Sequence, residues 1–212
     1  MQYDKRSFFQ YYISLLRTKH PLLFSFCPLD DYNSRIVKIS IFLLFFSVIY
    51  TINGLFFLDS SLIHKIYENR GKYSFELQIL YSFILSHIFY LLIKYIFLSE
   101  RNLLEIKNEV TVEKARDKED NVKRCLVIKY ICFYVSGSLF LIFCWYYLSS
   151  FGAVFQNTQV YLINNTFISL SFSFIYPFII NIIPGLFRII SIRDVNKGKE
   201  FLYKISQFFQ FI

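Results

Sequence analysis

Charge is scarce in this 212-residue chain, and over long stretches it is absent. No Asp, Glu, Lys or Arg occurs from Ile39 to Leu58, from Leu77 to Ile93, or over the 58 residues from Tyr130 to Phe187. Only 18% of the residues are charged, against about a quarter in an ordinary soluble domain. With six glycines and four prolines the chain is neither collagen-like nor low-complexity. The four cysteines, Cys27, Cys125, Cys132 and Cys144, form no CxxC pair and no Cys/His cluster, which excludes a readable zinc site or a disulfide scaffold. They read as small apolar side chains, with Cys27 and Cys125 near boundaries where palmitoylation is an alternative. No HExxH, GxSxG, Walker A or GxGxxG pattern is present, and no regular arginine series. Acids are missing from every apolar segment, so an acid-based proton path or an aspartyl dyad has no residues to use. The chain therefore reads as non-enzymatic and without cofactor or metal. Met1 to Arg17 lacks the layout of a cleavable signal peptide, because Gln10 and Arg17 break its apolar stretch.

What fills the chain instead is hydrocarbon: 55% apolar residues, including 27 Phe and 17 Tyr. A membrane-spanning helix needs roughly 20 apolar residues, because the hydrocarbon core is about 30 Å thick. Residues 39–58 satisfy this as a first span. Residues 77–98 make a second, if Lys94 snorkels. The uncharged stretch after Tyr130 is too long for one crossing and must fold back. Its most polar portions are Gln156–Gln159 and Asn164–Thr166, which places spans at 130–151 and 167–187. Helices are expected throughout, since open backbone in lipid is too costly. The fold class is thus all-α, a single integral membrane domain over 1–212 with four transmembrane helices.

The charges orient these spans. Six Lys/Arg precede or include Lys38, nine lie from Lys94 to Lys129 and five follow from Arg188. The opposite side holds three, between Asp59 and Glu76, and none at 152–166. Lys/Arg excess marks the cytoplasmic side, so both termini and the 99–129 connector are expected there. In that connector, seven acids and seven bases crowd Glu100 to Arg124. Leu103, Ile106 and Val110 suggest a short amphipathic helix, and Lys114 to Asp120 a solvated, mobile charge run. Both ends suggest interfacial helices. In 1–38 these are Phe8, Phe9, Tyr12, Ile13 and Leu16 beside Lys5 and Arg6. In the basic tail, 188–212, Phe201, Ile205, Phe208 and Ile212 recur at helical spacing. Docking of either end on the bundle is the alternative.

Polar residues inside spans are the candidate contacts. Asn53 either caps the first span or bonds across helices. His87, with Ser82 and Ser86 nearby, either relays protons or is a neutral ring bonded to a serine or a carbonyl. Ser136, in Ser136-Gly137-Ser138, suits close helix contact. Asn181, between Pro177 and Pro184-Gly185, either satisfies carbonyls freed by Pro184 or bonds to a neighbour. Asn164, in the sequon Asn164-Asn165-Thr166, is a candidate glycosylation acceptor in an outside turn. Trp145, Tyr146 and Tyr147 match an interfacial aromatic belt. Basic and aromatic residues are not interleaved, which argues against nucleic acid. The expected partners are the lipid bilayer and other membrane subunits, and no small-molecule substrate is identifiable.

Several segments resemble a known arrangement. They are Lys19-His20-Pro21, Asp31 to Lys38, Asn53-Gly54-Leu55-Phe56-Phe57, His64 to Glu68, Leu98 to Asn102, Trp145 to Tyr147, Ala153 to Gln159 and Ile183 to Arg188. Together they resemble a multi-span region at the C-terminal end of large protist surface proteins. More distantly, the His-Pro, the basic pair and Asn53 to Phe57 resemble the four-helix block of the polycystin-1 family, with Gly54 where alanine is usual. The resemblance implies four crossings and a coupling role in a plasma or ciliary membrane. The family's sandwich domain, ectodomain and six-helix channel-like block are not in this sequence, so no channel activity is implied. The alternatives are an accessory subunit of an organellar, for example mitochondrial, membrane complex, or a transporter or channel component.

Overall fold

The computed structural model describes residues 6–28, 33–57, 77–98, 112–193, 201 and 204–206. The regular structure of these residues is helical throughout. Helix α1 spans Phe8–Lys19 and α2 Pro21–Phe26. Helix α3 is Arg35–Phe56, α4 is Leu77–Phe97 and α5 is Val112–Val154. A 3-10 turn at Gln156–Thr158 leads to α6, Gln159–Ile180, which is followed by α7, Ile182–Arg193. Four helical stretches are long and apolar enough to cross a membrane: α3, α4, α5 from Lys118, and the α6–α7 run from Gln159 to Ser191. Contacts divide the chain into two compact units, one comprising residues 30–170 and the other 1–29 with 171–212.

In the larger unit α3 is the axis. Its residues Val37, Ile41, Leu44, Phe45 and Ile49 form a buried cluster with Tyr90 and Ile93 of α4 and Phe133 of α5. The Phe45 and Tyr90 ring centroids are 4.7 Å apart, and so are those of Phe97 and Phe133. A second cluster joins Phe57, Phe151 and Leu162. The buried residues of α4 are Ile79, Ser82, Ser86, Tyr90 and Ile93, a stripe at spacings of three and four. Helix α5 buries far less: 6% of its most apolar stretch, against 44% for α3.

Two boundaries differ from the sequence reading. The charge run Lys114–Asp120 was expected to be mobile but forms the first turns of α5, a 43-residue helix. At 1.5 Å per residue that helix is about 65 Å long, roughly twice a hydrocarbon core. Glu119 and Asp120 stand four residues before Lys123 and Arg124, the order that stabilises an exposed helix. The turn before the fourth span lies only at Phe155–Thr158, so Asn164–Thr166 is inside α6 rather than in an outside loop. The fourth span breaks at Asn181, between Pro177 and Pro184, where those prolines lead one to expect a kink. Pro184 cannot donate to the Ile180 carbonyl, but in the first turn of α7 its missing N–H has no helical partner to lose. The expected amphipathic segment at Leu103, Ile106 and Val110 lies outside the described residues, as do Phe208 and Ile212.

In the smaller unit, Ser7 caps α1 through the Gln10 amide, and Gln10 returns a bond to the Ser7 N–H. Pro21 excludes helical backbone at the residue before it. His20 is accordingly extended, at φ −71° and ψ 124°, and the chain turns there from α1 into α2. The buried face of α1 is Tyr11, Leu15 and Leu16, shifted from the face read off the sequence, and Phe9 is exposed.

Two glycines mark close helix contacts in the larger unit. A Cβ at Gly137 would sit 3.4 Å from Leu44 Cδ1, and one at Gly54 only 3.1 Å from Tyr147 Cε1. Gly54→Leu should therefore destabilise the chain by about 1–3 kcal/mol through overpacking. Gly152→Leu, whose site meets only the flexible end of Gln159, should cost less. Thermal unfolding of both variants in detergent, read by circular dichroism, checks the ranking.

Candidate functional site

Two polar residues of the spans, Asn53 and Ser169, meet at one point of the larger unit. Asn53 lies one turn before the end of α3 and is 3% exposed. Its two Nδ2 protons go to the Ile49 carbonyl at 2.9 Å and to Ser169 Oγ of α6 at 3.3 Å. Ser169 Oγ in turn lies 3.3 Å from Asn53 Oδ1 and 3.4 Å from the Ile79 carbonyl oxygen of α4, and its single proton serves one of them. The node thus ties α3, α4 and α6 together. Both expectations for Asn53 contain part of this: it bonds to its own helix and across to another. In the sequence, Thr166, Ser169 and Ser173 recur at helical spacing, and all three are buried. That periodicity was the signal for Ser169, which sequence reasoning passed over in favour of Ser136-Gly137-Ser138.

The other sequence-selected residues lie apart from this node. Ser136 is a correction: it is exposed, and its hydroxyl donates to the Cys132 carbonyl of its own helix at 2.6 Å. The close approach to α3 is made by Gly137, the next residue and therefore on a different face. His87 is half-buried on α4, with ring centroids 5.9 Å from Phe83 and 6.0 Å from Tyr90. Lys94 lies over a ring of its own helix. Its ammonium lies 5.3 Å from the Tyr90 ring centroid, because helical side chains lean toward the N-terminus. Asn164 is exposed, but Thr166 is buried and donates to the Leu162 carbonyl at 2.8 Å. Trp145 and Tyr146 are exposed, as a belt requires, whereas Tyr147 packs at Gly54.

Asn181 belongs to the smaller unit. Its Nδ2 donates to the Pro177 carbonyl at 2.7 Å, and its backbone N–H reaches the same oxygen at 3.3 Å. The carbonyl it satisfies is thus Pro177, not the one freed by Pro184. The neighbouring Phe178 carbonyl accepts from Tyr12 Oη at 2.9 Å. The last turn of α6 is capped by these two side chains. In the same unit Arg188, 3% exposed, stacks on Tyr11 with its Cζ 4.1 Å from the ring centroid. Arg6 lies 5.6 Å from that ring, and its carbonyl accepts from Arg188 Nη2 at 3.4 Å. Sequence reading had no periodic signal for Arg188, because the pairing is made by residues 182 positions apart.

Among the described residues no group of three His, Cys, Asp or Glu is placed to hold a metal ion. The Asn53 node joins three helices through side-chain hydrogen bonds. No family model matches the chain, and no curated protein or solved structure is similar to it. Four helices long and apolar enough to span a membrane point to a membrane protein.

Interhelical hydrogen bonds of this kind are worth about 0.6 kcal/mol on average in a membrane, and up to about 1–2. Asn53→Ala and Ser169→Ala should each lower stability by about that amount. Their double mutant should cost less than the two losses combined, because both remove one bond. A double-mutant cycle of unfolding in detergent measures the coupling.

Proposed function

We propose that this chain is a non-enzymatic, multi-pass membrane anchor and coupling module. Both ends and the charged connector lie on the cytoplasmic side, with the two amphipathic ends at the interface. The observation that carries the proposal is the surface of α5. Ile131, Val135, Leu139, Ile142, Phe143 and Trp145 are all exposed within a stretch that contains no charge. In water, such a contiguous apolar face would exceed what a soluble monomer displays. In a bilayer it is the solvated face. Polar side chains in the spans are spent on holding helices together, at Asn53 and Ser169, or on their own carbonyls, at Ser136 and Asn181. That is the use a coupling module makes of them.

The parent we favour is a polycystin-1-like surface protein in a plasma or ciliary membrane. This preference rests on the Asn53-to-Phe57 and His20-Pro21 resemblance alone. The same bare face of α5 supports a second reading, an accessory subunit of an organellar membrane complex, in which a neighbouring subunit covers it.

A soluble reporter fused ahead of Met1 should pellet with membranes and resist alkaline carbonate extraction. Protease shaving of sealed vesicles should find the Glu100–Arg124 connector and the tail on the same face. Release by carbonate, or the two segments on opposite faces, overturns the reading.

A further inference from the structure

We propose that His20 is an acid-sensitive latch that holds the α1–α2 corner on the C-terminal half of α6 only while its imidazole is neutral. The ring is almost fully enclosed, at 4% exposure. Phe174 stacks on it with centroids 5.7 Å apart at 19°, and Phe178 meets it edge-on at 5.0 Å and 69°. The enclosure is set by sequence: Pro21 fixes the extended backbone of His20, and Phe174 and Phe178, four apart, share one face of α6. The ring hydrogen-bonds to the Phe174 backbone, while Nδ1 is buried with no hydrogen-bond partner among the described residues. Protonation would therefore place a positive charge in an enclosed, mostly aromatic site, offset only in part by the Phe174 and His20 backbone.

The charges nearest in sequence are cations of α1, Lys19 and the exposed Arg17. Residues 171–180 of α6 carry no charge, and the cation of α7 at this packing is Arg188, on Tyr11. The described residues of the smaller unit include no Asp or Glu. Burial pushes the His20 pKa below its ordinary 6.5, against the opposing pull of the Phe174 and His20 backbone. A neutral-when-docked base binds more protons when released, so docking is complete above about 6.5 and weakens as pH falls below it. Lys19, lowered by burial to about 8, titrates above this window and does not confuse it.

The test uses the full chain in nanodiscs. Hydrogen exchange of residues 8–26, corrected for intrinsic rate, should be several-fold faster at pH 5.5 than at pH 7.5. His20→Phe keeps an aromatic ring without a titrating group, so its protection should be the same at both pH values. If that ring fits badly, His20→Gln should also remove the pH difference, from a lower starting protection. A nuclear magnetic resonance titration of wild-type His20 should place its midpoint below 6.5. Equal protection of the wild type at both pH values overturns the latch. So does a pH response that survives in both variants, or a midpoint at or above 6.5.

Discussion

A peptide N–H or C=O facing hydrocarbon without a partner costs several kcal/mol, and this constraint runs through the whole chain. Helices meet it everywhere along their lengths, so the only exposed points are the places where a helix ends or breaks. The break at Asn181 shows how it is met there. Pro177 and Pro184 each remove an N–H from the ladder, the Asn181 amide adds a second donor to the Pro177 carbonyl, and the Tyr12 hydroxyl takes the Phe178 carbonyl. The hydroxyls within the apolar helices follow the same rule. Ser40, Ser47, Thr51, Ser86, Ser136, Ser150 and Thr166 each donate to the carbonyl four residues back. Each of these hydroxyls is satisfied by its own helix, whereas the buried Ser82 hydroxyl has no partner among the described residues, so a hydroxyl's presence alone does not mark a contact.

This explains why Asn53 and Ser169 matter where Ser136 does not. An amide has two N–H donors and one carbonyl acceptor, and its own helix can use only part of them. At Asn181 the Oδ1 is buried with no partner among the described residues, whereas at Asn53 the remainder goes to another helix. Small residues then decide how near that helix comes, at Gly54 and Gly137 in the larger unit and at Gly185 in the smaller, where a Cβ would lie 2.6 Å from Phe8 Cε2. Apolar residues supply most of the surface but little of the choice, since lipid tails and leucine side chains are equivalent partners.

The two units differ in charge as well as in packing. Residues 1–29 and 171–212 hold nine Lys/Arg and three Asp/Glu, most of the chain's net charge of +8. A cation-rich body suits the face of a membrane where Lys/Arg accumulate.

The existence and order of the apolar helices were legible because a missing charge is visible without knowing any neighbour: residues 39–58, 77–98 and the long stretch after Tyr130 cannot be ordinary soluble segments. The proline-marked break near Asn181 was legible for local steric reasons. Helix faces were harder. Apolar residues surround α3 through α6, so periodicity does not separate a protein-facing side from a lipid-facing one, and Ser136 was chosen over Ser169. The continuation of α5 back to Val112 was hidden because a charged helix and a charged loop share a composition. The sequence by itself determined which segments water would reject, because that depends on composition summed along the chain. Only the tertiary structure decided that Asn53 meets Ser169 and that Arg188 meets Tyr11, because those pairings depend on helix rotation and register, which no single segment encodes.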